Sequence, residues 1–150
     1  MLNRLKGVFA SFQKHDVRYL VIGGIASILY GVPRATFDLD ILIEPTPINA
    51  QKLLDALAEA EMGTATLTTA SELLSNEITV FKDKIRIDVQ TSTPGLIFQE
   101  AWQRRETMIY QGQEFCVVSK NDLIATKRAS GRGIDLSDVR LLEISEKKKD

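Results

Sequence analysis

The chain has 150 residues, 44% of them apolar and 26% charged, with a formal net charge of −1. That size and mix suit a single soluble globular domain and give no overall positive field of the kind that advertises nucleic-acid binding. No apolar run nears the roughly 20 residues that a membrane-spanning helix needs. Cys116 is the sole cysteine, so an internal disulfide and a cysteine-based zinc site are excluded and a reducing cytoplasm is expected.

The opening stretch MLNRLKGVFASFQKHD carries charges every few positions and no small-residue cleavage site, so no signal peptide is expected. Within it Leu2, Leu5, Val8, Phe9 and Phe12 recur at helical spacing. VRYLVIGG predicts a short buried strand stopped by two glycines, and IASILYGV predicts two helical turns ending at Gly31 and Pro33. A strand over DLDILI follows, closed by EPTP. Thr46 or Asn49 is placed to cap a helix over INAQKLLDALAEA, a run rich in strong helix formers. NEITVFKDKIRIDVQTS predicts two strands about a tight turn at Lys82, Asp83 and Lys84. A helix around PGLIFQEAW leads to a second hairpin, ETMIYQGQEFCVV, turning at Gln111 and Gly112. Ser119 is expected to cap NDLIATKRAS, and a last helix follows GRG through DLSDVRLLE. Helices mixed irregularly with hairpins predict an α/β or α+β fold with a mixed, twisted sheet flanked by helices. The core is expected over 18–118, a short C-terminal helical pair over 119–144 and a frayed tail over 145–150.

Asp38 and Asp40 interrupt the otherwise apolar run from Phe37 to Ile43. Unpaired buried charge is costly, so either a cation faces them or that part of the strand opens onto a site. Residues two apart on a strand share a face, with Cα atoms about 6.5–7 Å apart, and both carboxylates can lean onto one cation. Asp88 lies between Ile87 and Val89 on the polar face of another predicted strand, with Arg86 and Gln90. If the two strands pair, three carboxylates converge and require a compensating cation. Oxygen-only ligands suit Mg²⁺ or Mn²⁺, and two such ions about 3.5–4 Å apart can hold both oxygens of a phosphoryl displacement. Upstream, Gly23 and Gly24 sit at a strand-to-helix turn, where backbone N–H groups can approach an anion. GxxxxGK[ST] and GxGxxG are both absent.

VIGGIASILYGVPRATFDLDILIE, with thirteen residues between Gly24 and Asp38, resembles the signature of the DNA polymerase beta-like nucleotidyltransferase superfamily. IRIDVQTS looks like the strand that carries its third carboxylate. VVSKNDLIATKRASGRGIDLSDVRLLE is similar to the tail of small bacterial members, including the abortive-infection type of toxin. The resemblance covers most of 18–143 and implies transfer of a nucleoside monophosphate from an NTP such as ATP to an acceptor hydroxyl. It implies that Asp38 and Asp40 hold two Mg²⁺ or Mn²⁺ ions that bridge the phosphates, with Asp88 binding the second ion and acting as the general base. Gly23 and Gly24 would cradle the β/γ-phosphates, and Lys127 would lie beside the triphosphate. The superfamily often has Gly-Ser at the second glycine; here Ile25 follows Gly24, and Ser27 comes three positions after it.

Blander readings stand beside these. The aspartate pair can be edge-strand carboxylates matched by Arg34 or a lysine, and Asp88 can be a strand partner of Arg86. Arg34 either clamps a phosphate or neutralises Asp38. Arg132 and Asp135 are read as pins of the loop between two helices, His15 as a helix-end residue, and Cys116 as core packing. An acceptor in RNA, tRNA or a protein side chain is favoured, within a toxin–antitoxin or phage-defence setting. The acceptor site is expected to be open, or to be completed by a partner chain, a second copy or a macromolecular substrate. A non-catalytic nucleotide-binding partner and an antibiotic-modifying enzyme are the alternatives.

Overall fold

The computed structural model describes residues 2–149, with side chains described to residue 144. Among these residues it is an α+β fold, a six-stranded mixed sheet flanked by seven α-helices. Helix α1 (Leu2–Lys14) buries Leu5, Val8, Phe9 and Phe12 as the periodicity requires. Strand β1 (Tyr19–Ile22) is buried at all four positions, which explains its unbroken apolar run. Helix α2 (Gly23–Leu29) begins at the two glycines rather than after them. Strand β2 (Asp38–Ile43) buries Leu39 and Ile41 completely and leaves Asp38 and Asp40 partly open.

Thr46 caps helix α3 (Pro47–Glu59), its side chain accepting from the Asn49 backbone N–H. Asn49 has a different task. Buried, it accepts from the Arg18 backbone N–H and donates to the carbonyls of Arg18 and Glu44, tying the start of β1 to the end of β2. The segment 63–75, for which the sequence offered no element, forms a single 3₁₀ turn (Gly63–Leu67) and helix α4 (Ala70–Ser75).

Strands β3 (Ile78–Lys82) and β4 (Arg86–Gln90) form the first hairpin, and helix α5 (Phe98–Gln103) follows. Strands β5 (Glu106–Tyr110) and β6 (Gln113–Val117) form the second. Its two-residue turn holds Gln111 at φ 47° and Gly112 at φ 80°, the pair of positive values that a tight hairpin needs. Ser119 caps helix α6 (Lys120–Ser130) through the Asp122 N–H, and helix α7 (Gly133–Lys149) closes the chain. The C-terminal helical pair is thus present, with α6 of 11 residues and α7 of 17. The expectation of fraying over 145–150 falls beyond the described side chains. No helix among the described residues is long and apolar enough to cross a membrane.

The strand order is β3-β4-β2-β1-β6-β5. β2 runs antiparallel to β1 and parallel to β4, which sets the two acidic strands side by side in the middle of the sheet. The aromatic centre of the core lies under α1, where Phe9 stacks on Phe115 and Phe12 packs against Tyr19.

Candidate active site

The register of the three central strands decides which side chains meet. Ile22 pairs with Asp40, and Asp40 pairs with Asp88 on the parallel neighbour. Paired residues in a parallel ladder point to the same face, so the two carboxylates stand side by side. Asp38, two residues earlier on that face, pairs with Arg86. All three acids therefore share one face of the sheet, and so does the guanidinium of Arg86.

That guanidinium changes the electrostatics. Arg86 grips Asp88 with two bonds, Nε to Oδ1 at 2.9 Å and Nη2 to Oδ2 at 3.2 Å, and its Nε lies 3.8 Å from Asp38 Oδ2. The strand ion pair between Arg86 and Asp88 that the sequence offered as a bland alternative is thus formed. Among the described residues, no three acidic, histidine or cysteine side chains stand close enough to hold a metal ion as they are arranged.

Asp40 is left without a close cation. Its carboxyl is pushed up to about 7, first by burial, then by the charge and hydrogen bond of Asp88 and by the charge of Asp38; Arg86 opposes the shift. Near neutral pH the Asp40 carboxyl therefore keeps much of its proton. A divalent cation can take that proton's place, and the all-oxygen donor set fits Mg²⁺ or Mn²⁺. The residues that would hold it are Asp40, Asp88 and, once Arg86 shifts, Asp38.

Gly23 is explained by Asp40. Its φ is +71°, and a Cβ there would lie 2.4 Å from Asp40 Oδ2. Only glycine lets the carboxylate lie against this turn. At Gly24 a Cβ would meet Thr36 Cγ2 at 3.3 Å, a tighter approach than most but not a collision. Ser27 is fully buried and donates to the Gly23 carbonyl at 3.2 Å, so its hydroxyl turns inward.

Asp40, Asp88 and Gly23 line a cleft of about 490 Å³ whose far wall comes from α6 and α7: Lys127, Ser130, Arg132 and Asp135. Gln90, Thr93, Pro94 and Thr126 also line it, and nothing in their spacing had marked them. A larger cleft of about 760 Å³ lies between α1, the end of α3 and the β3–β4 turn, but it contains none of the three aspartates.

The basic wall is an ionic network. Lys127 is buried and donates to Asp135 Oδ1 at 3.3 Å and Asp138 Oδ2 at 3.0 Å. Arg34 donates to the same Asp138 oxygen at 2.6 Å, which joins the loop before β2 to α7. Arg132 Nε reaches Asp135 Oδ2 at 2.8 Å. Both Arg34 and Lys127, the expected phosphate contacts, thus have carboxylate partners inside the chain, and Arg34 pairs with Asp138 rather than Asp38. Asp138 went unnoticed in the sequence, although its spacing of three from Asp135 sets both on one side of a helix.

No curated protein gives a significant match to the chain. A family model described as a nucleotidyltransferase of unknown function (DUF6036) matches residues 3–147, and the chain belongs to that nucleotidyltransferase family.

Proposed function

We propose that the chain transfers a nucleoside monophosphate from an NTP to a hydroxyl acceptor, releasing pyrophosphate, with Asp38, Asp40 and Asp88 holding one or two Mg²⁺ or Mn²⁺ ions. The observation that carries this reading is the pairing of Asp40 with Asp88, beside Gly23, in a cleft whose other wall is cationic. The acceptor oxygen attacks the α-phosphorus, the bond from that phosphorus to the β-phosphate oxygen breaks, and the acceptor's proton leaves through Asp88. Bound divalent ions supply charge neutralisation and orientation at the phosphates. The backbone at Gly23 and Gly24 contacts the phosphate chain, and Arg34 and Lys127 add positive charge to that wall.

The acceptor is a hydroxyl of RNA, tRNA or a protein side chain, in a toxin–antitoxin or phage-defence setting. A partner chain or second copy completes the acceptor site. The test is incubation with labelled NTPs, Mg²⁺ and total RNA or lysate, alongside Asp40→Ala. Metal-dependent label transfer that the variant loses is the expected result. Failure of Mg²⁺ and NTP together to raise the melting temperature would sink the reading.

One observation favours a second reading, a non-catalytic nucleotide-binding partner. Arg86 engages both oxygens of Asp88, which places a cation where a metal ion would stand and occupies one lone pair on each oxygen of the proposed base. Nucleotide binding without transfer to any acceptor would select this reading.

A further inference from the structure

The residues that the sequence offers for the phosphate chain and those that the structure leaves available for it are different. Lys127 has only 4% of its side chain exposed, and two carboxylates hold its ammonium. Arg34 is held by Asp138. Arg132 has 74% of its side chain exposed on the lining of the cleft that holds Asp40 and Asp88. Its Nε bonds Asp135, and its two terminal nitrogens have no partner among the described residues.

What stands behind Arg132 is built. Asp135 is 5% exposed, and its Oδ2 accepts from Ser130 Oγ at 2.5 Å as well as from Arg132. Its Oδ1 accepts from buried Lys127. Ser130 and Lys127 already satisfy this carboxylate, so pinning the interhelical loop does not require a third donor. An exposed ion pair three residues apart adds little by itself. The third donor fixes the base of a planar cation that lines the cleft. A guanidinium held this way matches two phosphate oxygens at once, which an ammonium does not. The network also has three cations, Arg34, Lys127 and Arg132, against two carboxylates, so its excess positive charge falls on its exposed member.

Resting on the nucleotidyltransferase reading above, we propose that Arg132 binds the polyphosphate chain of the incoming nucleotide, while Asp135 and buried Lys127 act as positioning residues behind it. The ligand class is a polyphosphate: the β- and γ-phosphates of an NTP, or free tripolyphosphate. Nucleoside monophosphates fall outside it.

Calorimetric titration of the full chain tests this with Mg·ATP, tripolyphosphate and AMP, using wild type, Arg132→Gln, Arg132→Lys and Asp40→Asn. Arg132→Gln is expected to weaken Mg·ATP and tripolyphosphate by at least about tenfold, the loss of a charged hydrogen-bonding pair, and to leave AMP within about twofold. Arg132→Lys is expected to recover part of the loss. A melting temperature within about 2 °C of wild type certifies that Arg132→Gln folds. Unchanged Mg·ATP affinity in Arg132→Gln, with Asp40→Asn losing the Mg²⁺ dependence, overturns this assignment and leaves the metal–nucleotide reading standing. Equal loss for AMP and Mg·ATP also overturns it, as a structural effect. No binding of Mg·ATP by wild type overturns both.

Discussion

Replacing Asp40 by asparagine should make the ligand-free protein more stable, and the gain should depend on pH in a defined direction. In the unfolded chain this carboxyl titrates at its ordinary 3.8; in the fold it is pushed up to about 7. Between those values the native state keeps a proton that the unfolded chain has released. Stability therefore falls as pH rises through this window, and the penalty is complete above about pH 7. At about 1.4 kcal/mol per pKa unit, the full rise is worth roughly 4 kcal/mol. The open cleft relieves part of that cost, and a gain of about 1–3 kcal/mol is expected at about pH 8. The asparagine amide can donate to Asp88 much as a protonated carboxyl does, so the geometry is retained. Thermal unfolding in Mg²⁺-free buffer is the assay, at about 2–4 °C of melting temperature per kcal/mol for a chain this size. Asp40→Asn should melt higher at about pH 8 and converge on wild type near about pH 4. A variant no more stable than wild type at the higher pH, with the same pH slope, would show that the carboxylate is neither desolvated nor repelled.

Three other perturbations probe the same cleft. Removing the cation that opposes metal entry, Arg86→Gln, should lower neutral-pH stability yet tighten Mg²⁺ binding at least about threefold, read by calorimetry; weaker binding would contradict the competition. Gly23→Ala puts a Cβ 2.4 Å from Asp40 Oδ2 at a φ of +71°, so it should lose about 2 kcal/mol or more, while Gly24→Ala should cost clearly less. Chemical denaturation compares the two, and equal costs would refute the packing argument. Lys127→Met strands Asp135 and Asp138 with less compensating charge and should cost about 3–5 kcal/mol by urea unfolding, against almost nothing for an exposed lysine such as Lys82.

Local chemistry made most of the fold legible. The apolar spacing of α1, the Thr46 and Ser119 caps, the Gln111-Gly112 turn and the alternation through Ile87 and Val89 each state their own element. The segment 63–75 gave no such signal, because its 3₁₀ turn and α4 bury only Ala65 and Leu73 and so show no periodic face. The length of α7 was hidden for a related reason: its last turns are charged and carry no apolar stripe. At the site, the acids were legible because carboxylates in an apolar strand need a reason. Their partners were legible only in part. Arg86 lies two residues from Asp88 on one strand and was offered as its partner, but its approach to Asp38 depends on the β2–β4 register, which alternation within one strand does not specify. Arg34 and Asp138 lie 104 residues apart, and no local rule joins them.

The two walls of the cleft explain each other. On the sheet side, Asp40 and Asp88 are forced together by strand register, at a cost that the Asp40 carboxyl registers directly. On the helical side, the network of Arg34, Lys127 and Arg132 sets three cations against Asp135 and Asp138, and Arg132 is its most exposed member. If both features served stability alone, one wall would neutralise the other across about 490 Å³ of open cleft, and mutation would have an easy improvement at either side. Instead the Arg34–Asp138 and Lys127–Asp138 pairs hold the basic wall to the loop before β2, so the opposed charges stay apart. A ligand carrying cations at one end and a polyanion at the other satisfies both walls at once. That pairing, rather than either charge cluster alone, is what supports the proposed metal–nucleotide chemistry.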